Sequence, residues 1–310
     1  MRDVRLSIVT TLYHSAAFIE DFCRRASEAA ARVTDDFEIV LVNDGSPDRS
    51  LDVAVSVYER DPRVRVIDLA RNFGHHRAMM TGLRHARGEL VFLLDADLEQ
   101  PPEALPEFVA ELERTGADVV YGVQSKRSGG VGERWIGSLY YRLFNLLSAT
   151  EIPANIVTMR LMTRRYVRAL VRHREREILI AGLWTITGFE QVPLAVTRVA
   201  KGSTTYTFRR KMSLFVNGVT SFSNRPLIYV FYMGATISFI SMIAAFALVI
   251  RRLFFGYFEA GWPSLIVSIW FLGGLTIFCL GVIGIYVAKI FSESKRRPYA
   301  IIREIYERSE

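Results

Sequence analysis

The segment Phe37-Glu38-Ile39-Val40-Leu41-Val42-Asn43-Asp44-Gly45-Ser46 decides the fold class of this chain. Its apolar residues form a short run, which ends at once in residues that favour turns. Similar strand patterns occur at Leu6 to Leu12, Val64 to Leu69 and Glu89 to Leu94, and helical patterns separate them at about 16–33, 48–60 and 75–86. Strands that alternate with helices predict an α/β fold with a doubly wound, mostly parallel sheet.

Polar residues stand at the ends of these four strand patterns. They are Tyr13 and His14, Asn43 and Asp44, Arg71 and Asn72, and Asp95 and Asp97. Turn-forming preference explains such residues at any single strand end, but it explains four successive ends less well. Since ligands of doubly wound sheets bind beyond the carboxyl ends of the strands, we predict the binding site at this edge.

The segment Leu93-Leu94-Asp95-Ala96-Asp97-Leu98 places two carboxylates two positions apart after an apolar strand. If the backbone stays extended there, both side chains project to the same side. Carboxylate oxygens suit Mg²⁺ or Mn²⁺, which complete their coordination with substrate phosphates and water. We therefore predict that Asp95 and Asp97 bind a divalent metal together with a diphosphate substrate.

Two long apolar runs, Leu227 to Ile250 and Ser264 to Ala288, lie near the C-terminus, with a loop predicted around Arg251 to Pro263. Each run is as long as the roughly 20 residues that a helix needs to cross a bilayer. The alternative is a buried helical hairpin of a soluble core, which runs without ionisable groups disfavour. Basic residues flank the outer ends of the two runs, so the large N-terminal domain is predicted to be cytoplasmic.

The predicted organisation is a catalytic domain at 1–208, a juxtamembrane amphipathic segment at 209–226, two transmembrane helices within 227–291 (about 227–250 and 264–290) and a cytoplasmic tail at 292–310. The tail is apolar enough that we expect it to pack on the catalytic domain or on a neighbouring subunit. Helical patterns at Glu133 to Leu147 and Arg209 to Phe222 are candidates for interfacial helices.

The net charge of +7 is concentrated near the membrane junction, where basic clusters favour anionic lipid head groups. No nucleic-acid recognition motif accompanies this charge, so nucleic-acid binding is not expected.

Cys23 and Cys279 fall in different regions, which predicts neither a disulfide framework nor a metal cluster. Gly129 to Gly132 lacks the spacing of a dinucleotide fingerprint, which disfavours a dehydrogenase. For His75 and His76 at a helix start, an exposed pair is favoured over phosphate contact.

Four motifs in order carry a resemblance to a known family. They are Asn43-Asp44-Gly45-Ser46-Pro47-Asp48, Arg71-Asn72-Phe73-Gly74, Asp95-Ala96-Asp97-Leu98-Glu99-Gln100-Pro101-Pro102-Glu103 and Val119-Val120-Tyr121-Gly122. With them the chain resembles glycosyltransferase family 2 of the GT-A fold, and within it dolichyl-phosphate mannose synthases and bacterial polyprenyl-phosphate glycosyltransferases. The likeness implies inverting, metal-dependent transfer from a nucleotide-sugar, a UDP-sugar, to undecaprenyl phosphate. It also implies a multi-pass protein of the inner (plasma) membrane and a homo-oligomer.

The resemblance also implies site residues. The nucleotide-binding set is Thr11, Leu12, Tyr13, Asn43, Asp44, Arg71, Gly74, Asp95, Ala96 and Asp97, and the catalytic set is Asp95, Asp97 and Arg127. Arg127, Arg198, Lys201 and Lys211 are implied to contact the acceptor phosphate; for Arg198, Lys201 and Lys211, solvated or lipid-facing charge is an equal alternative. An arginine at position 127 would suit bidentate phosphate recognition.

One departure from the family concerns the acceptor. Where relatives commonly have Gly-Asp-Phe, this chain has Val157-Thr158-Met159, so a carboxylate is missing there. A sugar hydroxyl acceptor needs a general base, whereas a phosphate monoester is largely dianionic at neutral pH and can attack directly. Thr158 is therefore compatible with a phosphate acceptor.

Two other functions stay open from the sequence. One is a processive polysaccharide synthase, which two spans and the lack of a Gln-x-x-Arg-Trp motif disfavour. The other is a catalytically inactive membrane scaffold of the same fold, which the intact Asp44, Asp95 and Asp97 disfavour.

Overall fold

A computed structural model describes residues 4–124, 156–173, 175, 180–196, 223–255 and 261–308. The described residues fall into two compact units. The first holds one eight-stranded sheet with its helices, and the second holds two long helices near the C-terminus.

The strands of the first unit are β1 (Leu6–Leu12), β2 (Phe37–Asn43), β3 (Val64–Leu69), β4 (Leu90–Leu93), β5 (Val119–Gln124), β6 (Ile156–Thr163), β7 (Gln191–Val196) and β8 (Ile302–Tyr306). Its helices are α1 (Ile19–Ala31), α2 (Ser50–Arg60), α3 (His75–His85), α4 (Leu105–Thr115), α5 (Arg164–Leu170) and α6 (Ile180–Ile186), with a 3-10 turn at Pro102–Ala104. The second unit contains α7 (Arg225–Phe255) and α8 (Trp262–Ser294).

The strand order is β7-β5-β6-β4-β1-β2-β3-β8. Strands β1 to β4 are parallel and in register, whereas β6 pairs antiparallel with both β4 and β5. The predicted mostly parallel α/β sheet is therefore confirmed, with β6 and β8 as the two strands that run the other way.

Burial explains why the first three strands could be predicted from short apolar runs. Every residue of β1, β2 and β3 is buried, because helices cover both faces of the sheet. The helices contribute one apolar face each, such as Ile19, Phe22 and Ala26 of α1. The core is thus centred on the strands whose carboxyl ends carry the polar residues.

The C-terminal tail packs on the catalytic unit as an added strand. β8 pairs antiparallel with the edge strand β3, and Arg303 forms an ion pair with the buried Asp68 at 3.3 Å. Glu307 also accepts from Arg65 at 2.8 Å. The expectation that the tail packs on the catalytic domain is confirmed, and the strand covers an otherwise open sheet edge.

The two C-terminal helices are longer than the predicted spans. α7 continues through Arg251 and Arg252, so the predicted loop around these residues is wrong. No glycine or proline interrupts the chain between Gly234 and Gly256, which lets the helix extend. Within the described residues, the stretch Ser268–Ser294 is long and apolar enough to cross a membrane, with a mean hydropathy of 2.2. The two-span hairpin and the domain bounds around it stay predictions.

Candidate active site

The candidate site lies where the strand order of the sheet reverses. β1 pairs with β2 on one side and with β4 on the other, so successive strands are added in opposite directions from β1. The connecting segments diverge at such a point and leave a crevice beyond the carboxyl ends of the strands. Thr11 near the end of β1 and Asp95 after β4 both lie at this crevice.

Asp44 fixes the loop that follows β3. Its buried carboxylate accepts hydrogen bonds from the backbone N–H of Phe73 at 2.7 Å and of Gly74 at 3.0 Å. Burial raises the pKa of Asp44 above its ordinary value, and these two N–H donors act in the opposite direction. Asp44 therefore holds the backbone just before α3 in place.

Asn43 and Gly45 complete this turn. The Asn43 amide donates to Asp68 at 2.8 Å and accepts from the backbone N–H of Ser46 at 3.3 Å. Gly45 has a φ of +59°, and a Cβ added to it would lie 2.3 Å from the backbone carbon of Arg71. The turn after β2 and the loop after β3 consequently touch through backbone atoms, which only a glycine permits here.

The imidazole of His75 lies between β1 and β4. Its Nδ1 is 2.9 Å from the Thr11 hydroxyl, and its Nε2 is 3.3 Å from Oδ1 of Asp95. His75 is the first residue of α3, so the loop held by Asp44 determines where the ring lies. His75 is exposed, as the favoured interpretation of His75 and His76 expected, but its ring also contacts two site residues, which that interpretation did not include.

Gln100 contacts the other oxygen of Asp95. Its Nε2 lies 3.4 Å from Oδ2 of Asp95, while its Oε1 accepts from the backbone N–H of Met159 at 2.8 Å. Gln100 is buried, so its amide is held between the residues after β4 and strand β6. The Asp95 carboxylate is thus bracketed by His75 on one oxygen and Gln100 on the other.

The backbone between Asp95 and Asp97 turns instead of staying extended, so the predicted extended geometry is wrong. β4 ends at Leu93, residues 96–97 form a turn, and Leu98 has a φ of +60°. Oδ1 of Asp97 accepts from the backbone N–H of Glu99 at 3.0 Å, which is the local bond by which aspartate favours turns. A leucine in the left-handed region is strained, and such strain is concentrated at functional sites.

The residues present fit a divalent metal that takes most of its ligands from substrate and water. Oδ1 of Asp95 is buried and has no hydrogen-bond donor among the described residues; the contact with His75 lacks hydrogen-bond alignment. A buried carboxylate oxygen without a donor is costly unless a cation binds it. No cluster of three or more His, Cys, Asp or Glu side chains able to hold a metal occurs in the described part of the chain, which is compatible with Mg²⁺ or Mn²⁺.

The other predicted nucleotide-binding residues lie around the same edge with different exposure. Tyr13 is 48% exposed and Arg71 is also exposed, with its guanidinium over the Phe73 ring at 4.1 Å. Leu12 and Ala96 are buried in the core. Gly74 caps α3 with a φ of +101°. The nucleotide-binding role of this set stays a prediction.

A buried arginine lies on β6, the strand next to β4. Arg160 of β6 lies opposite Leu93, two residues before Asp95, and its guanidinium lies over the ring of Trp184. It lines a cavity of about 220 Å³, and burial lowers its pKa to about 9. The group therefore keeps its charge at neutral pH.

Several predicted positions lie outside the described residues. They are Arg127, Arg198, Lys201 and Lys211 and the two helical patterns at 133–147 and 209–222. Their proposed contacts with phosphate or with the membrane surface stay predictions.

Comparison with known proteins identifies the family. Residues 7–171, more than half of the chain, match the family model described as glycosyl transferase family 2. The chain belongs to glycosyltransferase family 2. It is accordingly a glycosyltransferase, and the mixed sheet described above is the GT-A fold that the resemblance implied.

Relatives within glycosyltransferase family 2 cover nearly the whole chain. A Mycobacterium tuberculosis protein named as a glycosyltransferase is 56% identical, with 98% of this chain and 89% of that protein covered. The bactoprenol glucosyl transferase of Shigella phage SfV is 33% identical, with 97% and 98% covered. The structure of a mannosyltransferase from Pyrobaculum calidifontis with GDP-mannose and Mn²⁺ is 16% identical, with a TM-score of 0.49 and coverage of 94% and 87%.

Sequence reasoning missed His75 and Gln100 as parts of the site. Both lie within or next to motifs that were singled out, so position in the motif was an available signal. What the sequence could not supply was the distance between the start of α3 and the end of β4, which are adjacent only in the folded sheet.

Proposed function

We propose that this glycosyltransferase moves a sugar from a UDP-sugar to the phosphate of a polyprenyl phosphate, undecaprenyl phosphate, at the cytoplasmic face of the inner membrane. Asp95 is the observation that carries the proposal, because its buried, donor-free oxygen lies at the crevice where a nucleotide diphosphate is expected. The relative from phage SfV, a bactoprenol glucosyl transferase, supports a lipid phosphate as acceptor.

Asp95 and Asp97 would hold Mg²⁺ or Mn²⁺. The metal, when bound, supplies Lewis-acid stabilisation of the charge that develops on the leaving nucleoside diphosphate. Tyr13, exposed at the end of β1, offers a stacking surface for the base, and Thr11 and the Asp44 turn would lie beneath the bound nucleotide.

The acceptor chemistry requires no general base at Thr158. An oxygen of the dianionic lipid phosphate attacks the anomeric carbon and forms the new C–O bond. The bond from that carbon to the diphosphate breaks, and the leaving group takes the electron pair, which inverts the anomeric centre. The chain contributes positioning and positive charge, with Arg127 as the proposed phosphate contact.

The C-terminal helices suit an acceptor that stays in the bilayer. Large apolar side chains of α8 are exposed to 79% at Trp270 and 72% at Ile277, which is a surface for lipid tails. A multi-pass hairpin formed by α7 and α8 is part of the proposal, and so is a homo-oligomer.

The test is transfer from a panel of radiolabelled UDP- and GDP-sugars to undecaprenyl phosphate in detergent, with Mn²⁺ or Mg²⁺. We expect label in the lipid phase with one UDP-sugar, and a loss of about 10²–10³-fold in Asp97→Ala, as when one charge-stabilising group is removed. Asp52→Ala is the matched control, because the Asp52 side chain is 69% exposed on α2. Nucleotide binding without transfer from any donor would contradict the proposal and favour the scaffold.

A further inference from the structure

We propose that His75 is a positioning residue that holds the Asp95 carboxylate in its metal-binding orientation. The inference deepens the proposed function and rests on it, since it concerns the metal expected at Asp95. It gives a role to a side chain that the resemblance did not include in the site.

The imidazole ring of His75 has a polar neighbour at each nitrogen. Nδ1 lies 2.9 Å from the Thr11 hydroxyl and Nε2 lies 3.3 Å from Oδ1 of Asp95. The Nε2–Oδ1 contact lacks hydrogen-bond alignment, so the ring restrains Asp95 as a close polar neighbour, while the contact of Nδ1 with the Thr11 hydroxyl has hydrogen-bond length. Thr11 is nearly buried at the end of β1, and its contact with Nδ1 therefore sets the direction of the ring.

The backbone before His75 is anchored as firmly as the ring. Asp44 accepts from the N–H groups of Phe73 and Gly74, the two residues that precede His75. A series of contacts therefore leads from Asp44, at the end of β2, through the loop before α3 to His75 and then to Asp95. Since Gln100 contacts the opposite oxygen, the carboxylate is restrained from two sides.

Residues that contact a metal ligand without binding the metal themselves orient that ligand, and the loss of such a contact commonly lowers metal affinity by about 10- to 100-fold. Without His75, the Asp95 carboxylate could rotate away from the crevice. The rate of sugar transfer should then fall by the same factor when the metal concentration is limiting. Saturating metal should restore much of that rate. A side chain needed only for folding would not show this dependence on metal concentration.

The experiment measures Mn²⁺ binding directly, by the electron paramagnetic resonance signal of free Mn²⁺, in the full chain in detergent with UDP present. We expect His75→Ala to weaken Mn²⁺ binding by about 10-fold or more. His75→Gln should recover most of the affinity, because its side-chain amide nitrogen reaches the place of Nε2. His75→Asn should not, because its shorter side chain places the amide nitrogen only where Nδ1 lies. His173→Ala is the control, because the His173 ring contacts Thr187 at 3.2 Å, outside the residues of the site.

The outcomes separate the two proposals. If the wild type binds Mn²⁺ and His75→Ala binds it equally or more tightly, the proposed role of His75 is overturned, whereas the metal-dependent function is not. Tighter binding would mean that the ring competes with the metal. Equal recovery by Gln and Asn would also overturn it. Absence of Mn²⁺ binding in the wild type would overturn this inference together with the metal-dependent function. The Gln–Asn comparison keeps the test valid if His75→Ala does not fold.

Discussion

Replacing Gly45 by alanine tests how tightly the two loops of the site are fitted together. The substitution places a Cβ at a φ of +59°, 2.3 Å from the backbone carbon of Arg71 and 2.4 Å from the backbone nitrogen of Asn72. The left-handed conformation costs alanine about 1 kcal/mol, and the clash with backbone atoms adds about 2 kcal/mol. At roughly 3 °C per kcal/mol, the Tm should fall by about 9 °C.

Gly116→Ala is the matched control for this prediction. Gly116 has a similar φ of +69°, but a Cβ there meets nothing within 4 Å, so only the conformational cost of about 1 kcal/mol, or about 3 °C, applies. The assay is thermal unfolding of the full chain in detergent, with UDP affinity from calorimetry. Gly45→Ala should also weaken UDP binding at least about tenfold, since it displaces the loop that carries His75. Equal Tm values and equal UDP affinities in the two variants would refute the reasoning.

Two further predictions concern pH and reactivity. Burial acts to raise the pKa of Asp48, but hydrogen bonds from Ser46 and Ser50 prevail and lower it from 3.8 to about 2. A lowered pKa contributes stability above the unfolded pKa that is lost as pH falls. Because solvent screens this partly exposed carboxylate, Asp48→Asn should cost only about 1 kcal/mol at pH 7 in thermal unfolding, and progressively less from about pH 4 to pH 2; a pH-independent difference would contradict this. Burial raises the pKa of the Cys23 thiol to about 12, so in a Cys279→Ser background, N-ethylmaleimide at pH 7.5 should label the chain only after unfolding, as mass spectrometry would show; rapid labelling of the folded chain would contradict it.

The parallel centre of the sheet was readable from the sequence because its strands are buried on both faces. Val64–Leu69 was predicted with both of its bounds, and His75 was correctly predicted as the start of α3. The tail strand Ile302–Tyr306 was expected only to pack, since pairing with β3 joins segments more than 200 residues apart. Such non-local pairing leaves no short-range signal in the sequence.

The candidate site was predicted in part. The two carboxylates were identified from their position after an apolar strand, but the turn at residues 96–98 was not, because leucine rarely adopts the φ of +60° found at Leu98. The assignment of Asn43 and Asp44 to nucleotide binding stays a prediction; in the structure their side chains contact Asp68 and the loop before α3, which the sequence did not indicate. Turn-forming preference and function act at the same positions, so sequence alone could not separate them.

The most direct test of the account is a comparison of two acceptors, undecaprenyl phosphate and undecaprenol, under identical conditions with the preferred UDP-sugar. The account predicts that sugar passes to the phosphate only, that the linkage is labile to mild acid, and that EDTA abolishes transfer. Transfer to undecaprenol or growth of a sugar polymer would contradict it, as would a full rate in EDTA.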